Sequence, residues 1–183
     1  MSIPSLSRVE GIRLSLRLIQ PDDAEYLYEL RTNPSYNRHL SEVSGTVEDQ
    51  RKWIQGYKSK EVSGEQYYFI IERGDGVRCG VVRLYDIGAE SFTWGSWILD
   101  HEKPSKAALE SALLSFGVGF DLLGKRYADV DVRIENTHAL AFYRRLGMTE
   151  TSSDELNIYL VYTRDRFKAD RPAHLMALRA EKQ

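Results

Sequence analysis

Three consecutive stretches decide the fold: Ser91-Phe-Thr-Trp-Gly-Ser-Trp-Ile-Leu99, then Pro104-Ser-Lys-Ala-Ala-Leu-Glu-Ser-Ala-Leu-Leu-Ser-Phe-Gly-Val-Gly-Phe-Asp-Leu-Leu-Gly124, then Arg126-Tyr-Ala-Asp-Val-Asp-Val-Arg133. The first is short and aromatic, as a strand is. The second is long and nearly apolar. Pro104 suits a first helical turn, where its missing N–H is no loss, and Gly124 suits the position just past the last turn. The third alternates, with Tyr127, Val130 and Val132 among its apolar members. Strand, helix and strand in that order form a crossover. Strand twist makes such a crossover right-handed, which places strands 91–99 and 126–133 parallel.

Working outward, residues 12–19 alternate with period two and read as a half-buried strand. Pro21 with Asp22 and Asp23 opens a helix, carried by Ala24, Leu27, Tyr28 and Leu30 and stopped at Asn33-Pro34. A loop over 35–45 holds Tyr36, Arg38 and His39. Thr46 and Asp49 have capping-box spacing for a helix to about Lys58 that carries Trp53, Ile54 and Tyr57 on one side. Strands over 66–72 and 77–86 flank the turn Gly74-Asp75-Gly76, and Gly88 returns the chain to strand 91–99. Beyond the crossover come a helix over 136–146 capped by Gly147, a strand over 156–163 and a terminal helix over 170–180. No repeat or Pro/Gly/Ser linker interrupts the 183 residues, so one domain is expected over 1–183. Antiparallel hairpins come first and a parallel crossover second, which is an α/β or α+β sheet covered by helices.

Composition narrows the function classes. With 25 Lys+Arg against 27 Asp+Glu the formal net charge is −2, so no basic excess stands ready for a phosphate backbone and nucleic acid is not the expected partner. The longest nearly apolar stretch, 107–123, is interrupted by Glu110 and Asp121, so membrane insertion is not expected. The opening Met-Ser-Ile-Pro-Ser lacks the order of a secretory signal, which points to the cytoplasm. The single cysteine, Cys79, excludes an internal disulfide and a Cys-based zinc cluster, and no His/Asp/Glu set has metal-ligand spacing, so no metal is expected.

Asn136-Thr-His-Ala-Leu-Ala-Phe-Tyr143-Arg-Arg-Leu-Gly147-Met resembles the Asn…Ala…Phe/Leu-Tyr…Gly-Phe signature of the GCN5-related N-acetyltransferases (GNAT). Trp94-Gly-Ser-Trp-Ile98 is similar to the central strand of that family's ribosomal-protein-acetyltransferase-like branch. The resemblance covers roughly residues 10–163. It implies a mixed central sheet of about seven strands, with two splayed parallel central strands, flanked by four to five helices. It also implies an acetyl-CoA-dependent transferase. The sequence departs from the family at the pyrophosphate loop, Gln/Arg-x-x-Gly-x-Gly/Ala. Here the stretch reads Lys103-Pro-Ser-Lys106-Ala107-Ala108, and only Ala108 fits well. Thr93 stands where the branch often has a glutamate.

These positions divide by chemistry. A helix start with free N–H groups suits a pyrophosphate, and Lys103 and Lys106 add charge there; an ordinary amphipathic helix with a basic first turn is the plainer alternative. If residue 106 takes a positive φ, a lysine there costs ~1–2 kcal/mol. By resemblance, the cofactor's pantetheine arm pairs with the backbone of Trp97, Ile98 and Leu99. Trp94 and Trp97 also suit simple core packing. Tyr143 matches the tyrosine that faces the sulfur, and a phenol with pKa near ~10 stays protonated to serve as the acid; packing on the sheet is its alternative role. Asn136 fits both an N-cap and a contact to the cofactor arm. For a base, Asp131, Glu90 and Asp86 all stand at strand ends. Arg38, His39, Arg83, Tyr85 and Arg133 are the candidates for the acceptor side.

The expected function is therefore transfer of an acetyl group from acetyl-CoA to a primary amine on a small molecule. Weak similarity to transferases of surface-polysaccharide assembly suggests a nucleotide-linked amino sugar, whose diphosphate the arginines would bind. An N-terminal or ribosomal protein acceptor is the alternative, and it would favour an acidic groove. A sensor or interaction module that has lost catalysis is the rival of another class. Oligomeric state is left open, a homodimer included.

Overall fold

The computed structural model describes residues 6–180; residues 1–5, read above for a leader, and 181–183 lie outside the described residues. In chain order the elements are β1 (Arg8–Glu10), β2 (Leu14–Leu18), a 3-10 turn at Pro21–Asp23 leading into α1 (Ala24–Thr32), and α2 (Val47–Val62). There follow β3 (Tyr67–Arg73), β4 (Arg78–Tyr85), β5 (Ser91–Leu99) and α3 (Ala107–Gly117), which runs into a π turn at Val118–Leu122. The chain ends with β6 (Tyr127–Arg133), α4 (Thr137–Leu146), β7 (Thr149–Ser153), β8 (Asn157–Thr163) and α5 (Arg164–Arg179). The strands join one sheet in the order β1-β2-β3-β4-β5-β6-β8-β7. Every pairing is antiparallel except β5 with β6, as the crossover requires.

Alternation along the strands sends successive side chains to opposite faces. Phe69 and Ile71 on β3, Val82 and Leu84 on β4, and Phe92 and Trp94 on β5 join the larger core with Phe116 of α3 and Phe167 of α5. Tyr68 and Ile70, Val81, and Ile98 join a second core with Leu27 of α1 and Ile54 and Tyr57 of α2. Gly119 lets the π turn lie against β5, because a Cβ there would meet the Phe92 ring at 2.1 Å.

The sheet has eight strands where about seven are expected. The additions are short or featureless in sequence: β1 has three residues, and β7 is exposed along its whole length, so no apolar alternation announces it. The first long strand begins at Leu14 rather than residue 12. The backbone N–H groups of Ile12, Arg13 and Leu14 all donate to one carboxylate oxygen of Glu110, at 2.6, 2.8 and 3.1 Å, and bind the β1–β2 turn to α3. The crossover helix starts at Ala107, not Pro104, since Lys106 takes a left-handed conformation (φ 63°). The terminal helix begins at Arg164, capped by the Thr163 hydroxyl, and carries Pro172 in its interior. The capping box at Thr46 forms, with Thr46 N–H donating to Asp49 at 2.8 Å and Asp49 N–H to the Thr46 hydroxyl at 3.3 Å. Its helix runs on to Val62, past Lys58.

Candidate active site

The central parallel pair is hydrogen-bonded only at its start, over Ser91↔Tyr127, Phe92↔Ala128 and Thr93↔Asp129. Beyond Thr93 the strands part. On its other edge β5 keeps pairing with β4, but Val81 lies opposite Ile98 and Arg83 opposite Gly95, so Ser96 and Trp97 share one position. Ser96 is forced to φ 48°. Such a bulge bends the strand that carries it. β6 has no matching irregularity and stays paired with β8 along its full length. The result is a wedge in which the β6-facing backbone of residues 94–99 has no strand partner.

The wedge opens into a cleft of 360 Å³. One wall is β5 (residues 94–98); the other is Asp131, Val132 and Arg133 of β6, Asn157 of β8, and Asn136 and Tyr143 of α4. Arg31 at the end of α1 and the loop residues Tyr36, His39, Leu40 and Ser41 close the far side, with Tyr68 and Tyr85 rising from the sheet. The loop is pinned there by Tyr36, whose hydroxyl accepts the His101 N–H at 3.0 Å.

Tyr143 is 7 % exposed. Its ring stands edge-on to Trp94, with centroids 5.8 Å apart, and lies tilted 6.3 Å from Trp97. Burial raises its phenol above the usual tyrosine value and the Asp131 charge adds to this, so it holds its proton at any physiological pH. Burial, then Asp131, raises Tyr85 as well, so Asp131 acts on both phenols across the cleft. Asn136 caps α4 by accepting the Ala139 N–H at 3.3 Å and still borders the cleft. Trp94 is buried, with its indole donating to the Ser115 hydroxyl at 2.8 Å. Trp97 is half-buried; it donates to the Ser111 hydroxyl at 3.1 Å and packs on Phe142 at 5.4 Å. Ile98 lines the cleft by its strand position while its side chain joins the second core. Leu99 packs against the larger core and is not part of the cleft wall.

The loop after β5 lies beyond the 360 Å³ cleft. Lys103 is exposed, and its N–H donates to the Asp100 carbonyl at 3.2 Å. The Lys106 ammonium is turned to the end of α5, donating to the carbonyls of Ala177 at 2.5 Å and Ala180 at 2.6 Å. It thus acts as a C-terminal cap for α5. Ala107 is buried in the larger core, Ala108 is half-buried, and the N–H groups of Ala108 and Leu109 lack the intrahelical partner that later residues have. The donor set therefore suits the diphosphate of an acetyl-CoA through backbone rather than through lysine. The unpaired strand edge suits the amide groups of its arm.

The other candidates separate clearly. His39, Tyr85, Arg133 and Asp131 border the cleft; Arg38 is exposed and does not. Arg83 reaches it through its neighbours, its guanidinium lying 4.3 Å from the Tyr85 ring and 5.6 Å from the Tyr68 ring. Glu90 sits at the closed, hydrogen-bonded start of the parallel pair, paired with Arg126 at 3.5 Å and away from the splay. Asp86, held at φ 47°, faces a shallower hollow of 370 Å³ shared with Tyr85, Asp129 and Asp131. Arg31, Tyr68 and Asn157 were not legible as site residues. They come from a helix end and the starts of two strands, and only the sheet's strand order brings them together. Among the described residues no group of His, Cys, Asp or Glu is placed to hold a metal ion, and no helix is long and apolar enough to cross a membrane.

Comparison with known proteins agrees with this geometry. No curated protein matches the chain. The solved structure "Apo FdhC, a nucleotide-linked sugar GNAT" is 37% identical, covers 92% of this chain and 96% of its own, and superposes with a TM-score of 0.85. RimJ of Mycobacterium smegmatis in complex with CoA-disulfide shares the fold at 18% identity, with 94% and 95% coverage and a TM-score of 0.79. So does the Vibrio cholerae spermidine N-acetyltransferase in complex with CoA and spermine, at 16% identity, 85% and 98% coverage and a TM-score of 0.74. The family model described as the acetyltransferase (GNAT) domain matches residues 13–149. A sheet parted at one parallel pair, with a tyrosine buried at the parting, is what that match looks like in three dimensions: the chain belongs to the GNAT family and is an acetyl-CoA-dependent N-acetyltransferase.

Proposed function

We propose that the chain works as one catalytic unit, in the cytoplasm, acetylating the primary amine of a small anionic acceptor, a nucleotide-linked amino sugar. The sign of charge around the cleft carries this reading. Arg31 and Arg133 border it and Arg83 lies just behind, against Asp131 as the one acidic side chain on its wall among the described residues. A basic protein or a polyamine would call for the opposite sign. The FdhC structure, described as a nucleotide-linked sugar GNAT, supports the same class of acceptor.

When bound, acetyl-CoA supplies an acetyl group activated as a thioester. The free backbone edge of Trp97 and Ile98 holds and orients the extended arm, and the first-turn N–H groups of α3 take the anionic end. Trp97, packed on Phe142, gives the cleft wall an apolar surface. Asp131 accepts a proton from the incoming ammonium, since only the neutral amine has a lone pair to attack with. Tyr143 would donate its phenolic proton to the departing thiolate and be reprotonated by the proton that the attacking nitrogen sheds as the C–S bond breaks and the amide forms. Its phenol is a weak acid, raised by burial, so it remains a donor throughout the working pH range. Asn136 fixes the start of α4 and thereby the height at which Tyr143 enters the cleft.

A free-thiol release assay across amino sugars, nucleotide-linked amino sugars, polyamines and basic peptides tests the assignment. The nucleotide-linked amino sugars should give the highest kcat/KM. A maximum for spermidine or a basic peptide overturns the acceptor class. Absence of any thermal shift at millimolar acetyl-CoA would leave the domain a binding module instead.

A further inference from the structure

We propose that Arg31, Arg83 and the Tyr68 hydroxyl form a phosphoryl subsite on the cleft wall opposite Tyr143; this rests on the transferase reading above and names the groups that read its acceptor. Tyr68 is 1 % exposed, and its hydroxyl has no hydrogen-bond partner among the described residues. The Nε of Arg83 is likewise buried and unpartnered. The two side chains are neighbours by register, Tyr68 on β3 lying directly opposite Arg83 on β4. Arg31 reaches the same place from α1, with its Nη2 donating to the Ser41 hydroxyl at 3.0 Å.

Buried donors left without acceptors are expensive, and folded proteins rarely tolerate several together. Of the buried polar groups elsewhere in this sheet, the Tyr162 hydroxyl on β8 is also without a partner, whereas the arginine of β2 is answered. Arg17 makes a two-pronged contact with Asp23, at 2.7 and 2.8 Å, and a third with Glu72 at 2.8 Å. At the Arg31–Arg83 wall no carboxylate lies within ion-pair distance of either guanidinium among the described residues. Instead the Arg83 guanidinium lies among aromatic rings, 4.3 Å from Tyr85, 5.6 Å from Tyr68 and 6.0 Å from Trp53. Two guanidinium groups, met here by a serine hydroxyl and by aromatic side chains but by no carboxylate, and the unpartnered Tyr68 hydroxyl together offer donors to an anion. Phosphoryl oxygens are acceptors of the matching geometry.

The subsite is separate from the place assigned to the cofactor's own diphosphate, which follows β5 at the start of α3. Arg31 and Tyr68 share the cleft with Asp131 and Tyr143 but stand on its other wall. An acceptor gripped there by its phosphoryl groups would present its sugar amine across the gap to Asp131. The wall thus acts as a ruler, selecting acceptors that carry amine and phosphate at that separation.

The test is titration calorimetry of the protein, saturated with CoA to block the cofactor's diphosphate site, against uridine and thymidine diphosphates. The wild type should bind; Arg31→Gln and Arg83→Gln should each weaken binding ~10-fold or more, and Tyr68→Phe by less, given the usual worth of charged and neutral hydrogen bonds. Tyr68→Phe removes one buried orphan oxygen and should keep its melting temperature, so the test survives if an arginine variant folds poorly. In turnover, the preference for a nucleotide-linked amino sugar over the same sugar unlinked should drop at least as far as binding does. A wild-type complex that ignores nucleoside diphosphates, or variants that bind them as well as wild type, overturns the subsite. Binding lost in the variants while no nucleotide-linked amino sugar is ever acetylated overturns the acceptor assignment and leaves the subsite standing.

Discussion

Two residues separate what chemistry needs from what packing needs. Tyr143 sits among aromatic rings at 7 % exposure, and nothing in that packing requires its hydroxyl. Tyr143→Phe should therefore fold normally, lower kcat ~10-fold or more and leave acetyl-CoA affinity nearly unchanged. An unaltered kcat would reduce the tyrosine to packing. Because its phenol is raised by burial and by Asp131, the pH profile of kcat in the wild type should show no fall from Tyr143 ionising below about pH 10. Lys106 is the reverse case. Sequence offers it as a cation for the cofactor, yet its ammonium is spent on two carbonyls of α5. Lys106→Met should lower the melting temperature by releasing the end of α5 while changing acetyl-CoA affinity less than ~2-fold, a surface cation contributing little at that distance. A tenfold loss of affinity would place the ammonium in the cofactor site.

At the scale of elements, the site exists because β5 changes partners' register partway along. Its first residues serve the parallel pair, its bulge at Ser96 and Trp97 turns it, and its last residues serve β4 alone. The strained φ of Ser96 is stabilised by the surrounding ladder, as strain at functional sites generally is. The opposite face is braced by Glu110, which ties the first turn of α3 to the β1–β2 turn through three backbone donors. Glu110→Ala strands those donors in a part-buried setting. A loss on the order of 3 kcal/mol in chemical denaturation is expected, from several orphaned hydrogen bonds together. A loss within experimental error would mean that water replaces the carboxylate at no cost. α3 was legible in outline from Pro104 and Gly124, but its true start was not. A proline announces a turn without saying which residue after it first becomes helical, and here the left-handed Lys106 delays the helix.

For the whole molecule, burial of protonated groups sets the alkaline limit. Burial, with a smaller push from Asp100, raises the Cys79 thiol to about 12. Burial likewise raises the phenols of Tyr57, Tyr143 and Tyr162. Unfolded, a thiol gives up its proton near ~8.5 and a phenol near ~10. These groups are thus more protonated when folded. Their contribution is fully present below the unfolded values and is lost as pH rises through the raised, folded ones. The melting temperature should hold up to about pH 8.5 and fall steadily above it, most steeply beyond pH 10 where the tyrosines join. A melting curve unchanged up to pH 11 would contradict the burial of these groups.

The sequence by itself determined the order of the long elements, the one parallel pair among them, and the caps at Thr46, Asn136 and Gly147. All of these rest on spacing within a few residues, where alternation, helical period and turn chemistry are local. It did not determine β1 or β7, whose residues carry no apolar pattern, nor the direction of Lys106, nor the exposure that leaves Arg38 outside the cleft. Least of all did it reveal Arg31 beside Arg83 and Tyr68. Those residues lie far apart along the chain, and their partnership follows from strand register and from where α1 lands on the sheet. Such placement is fixed by long-range packing of two cores, and no local rule of sequence contains it.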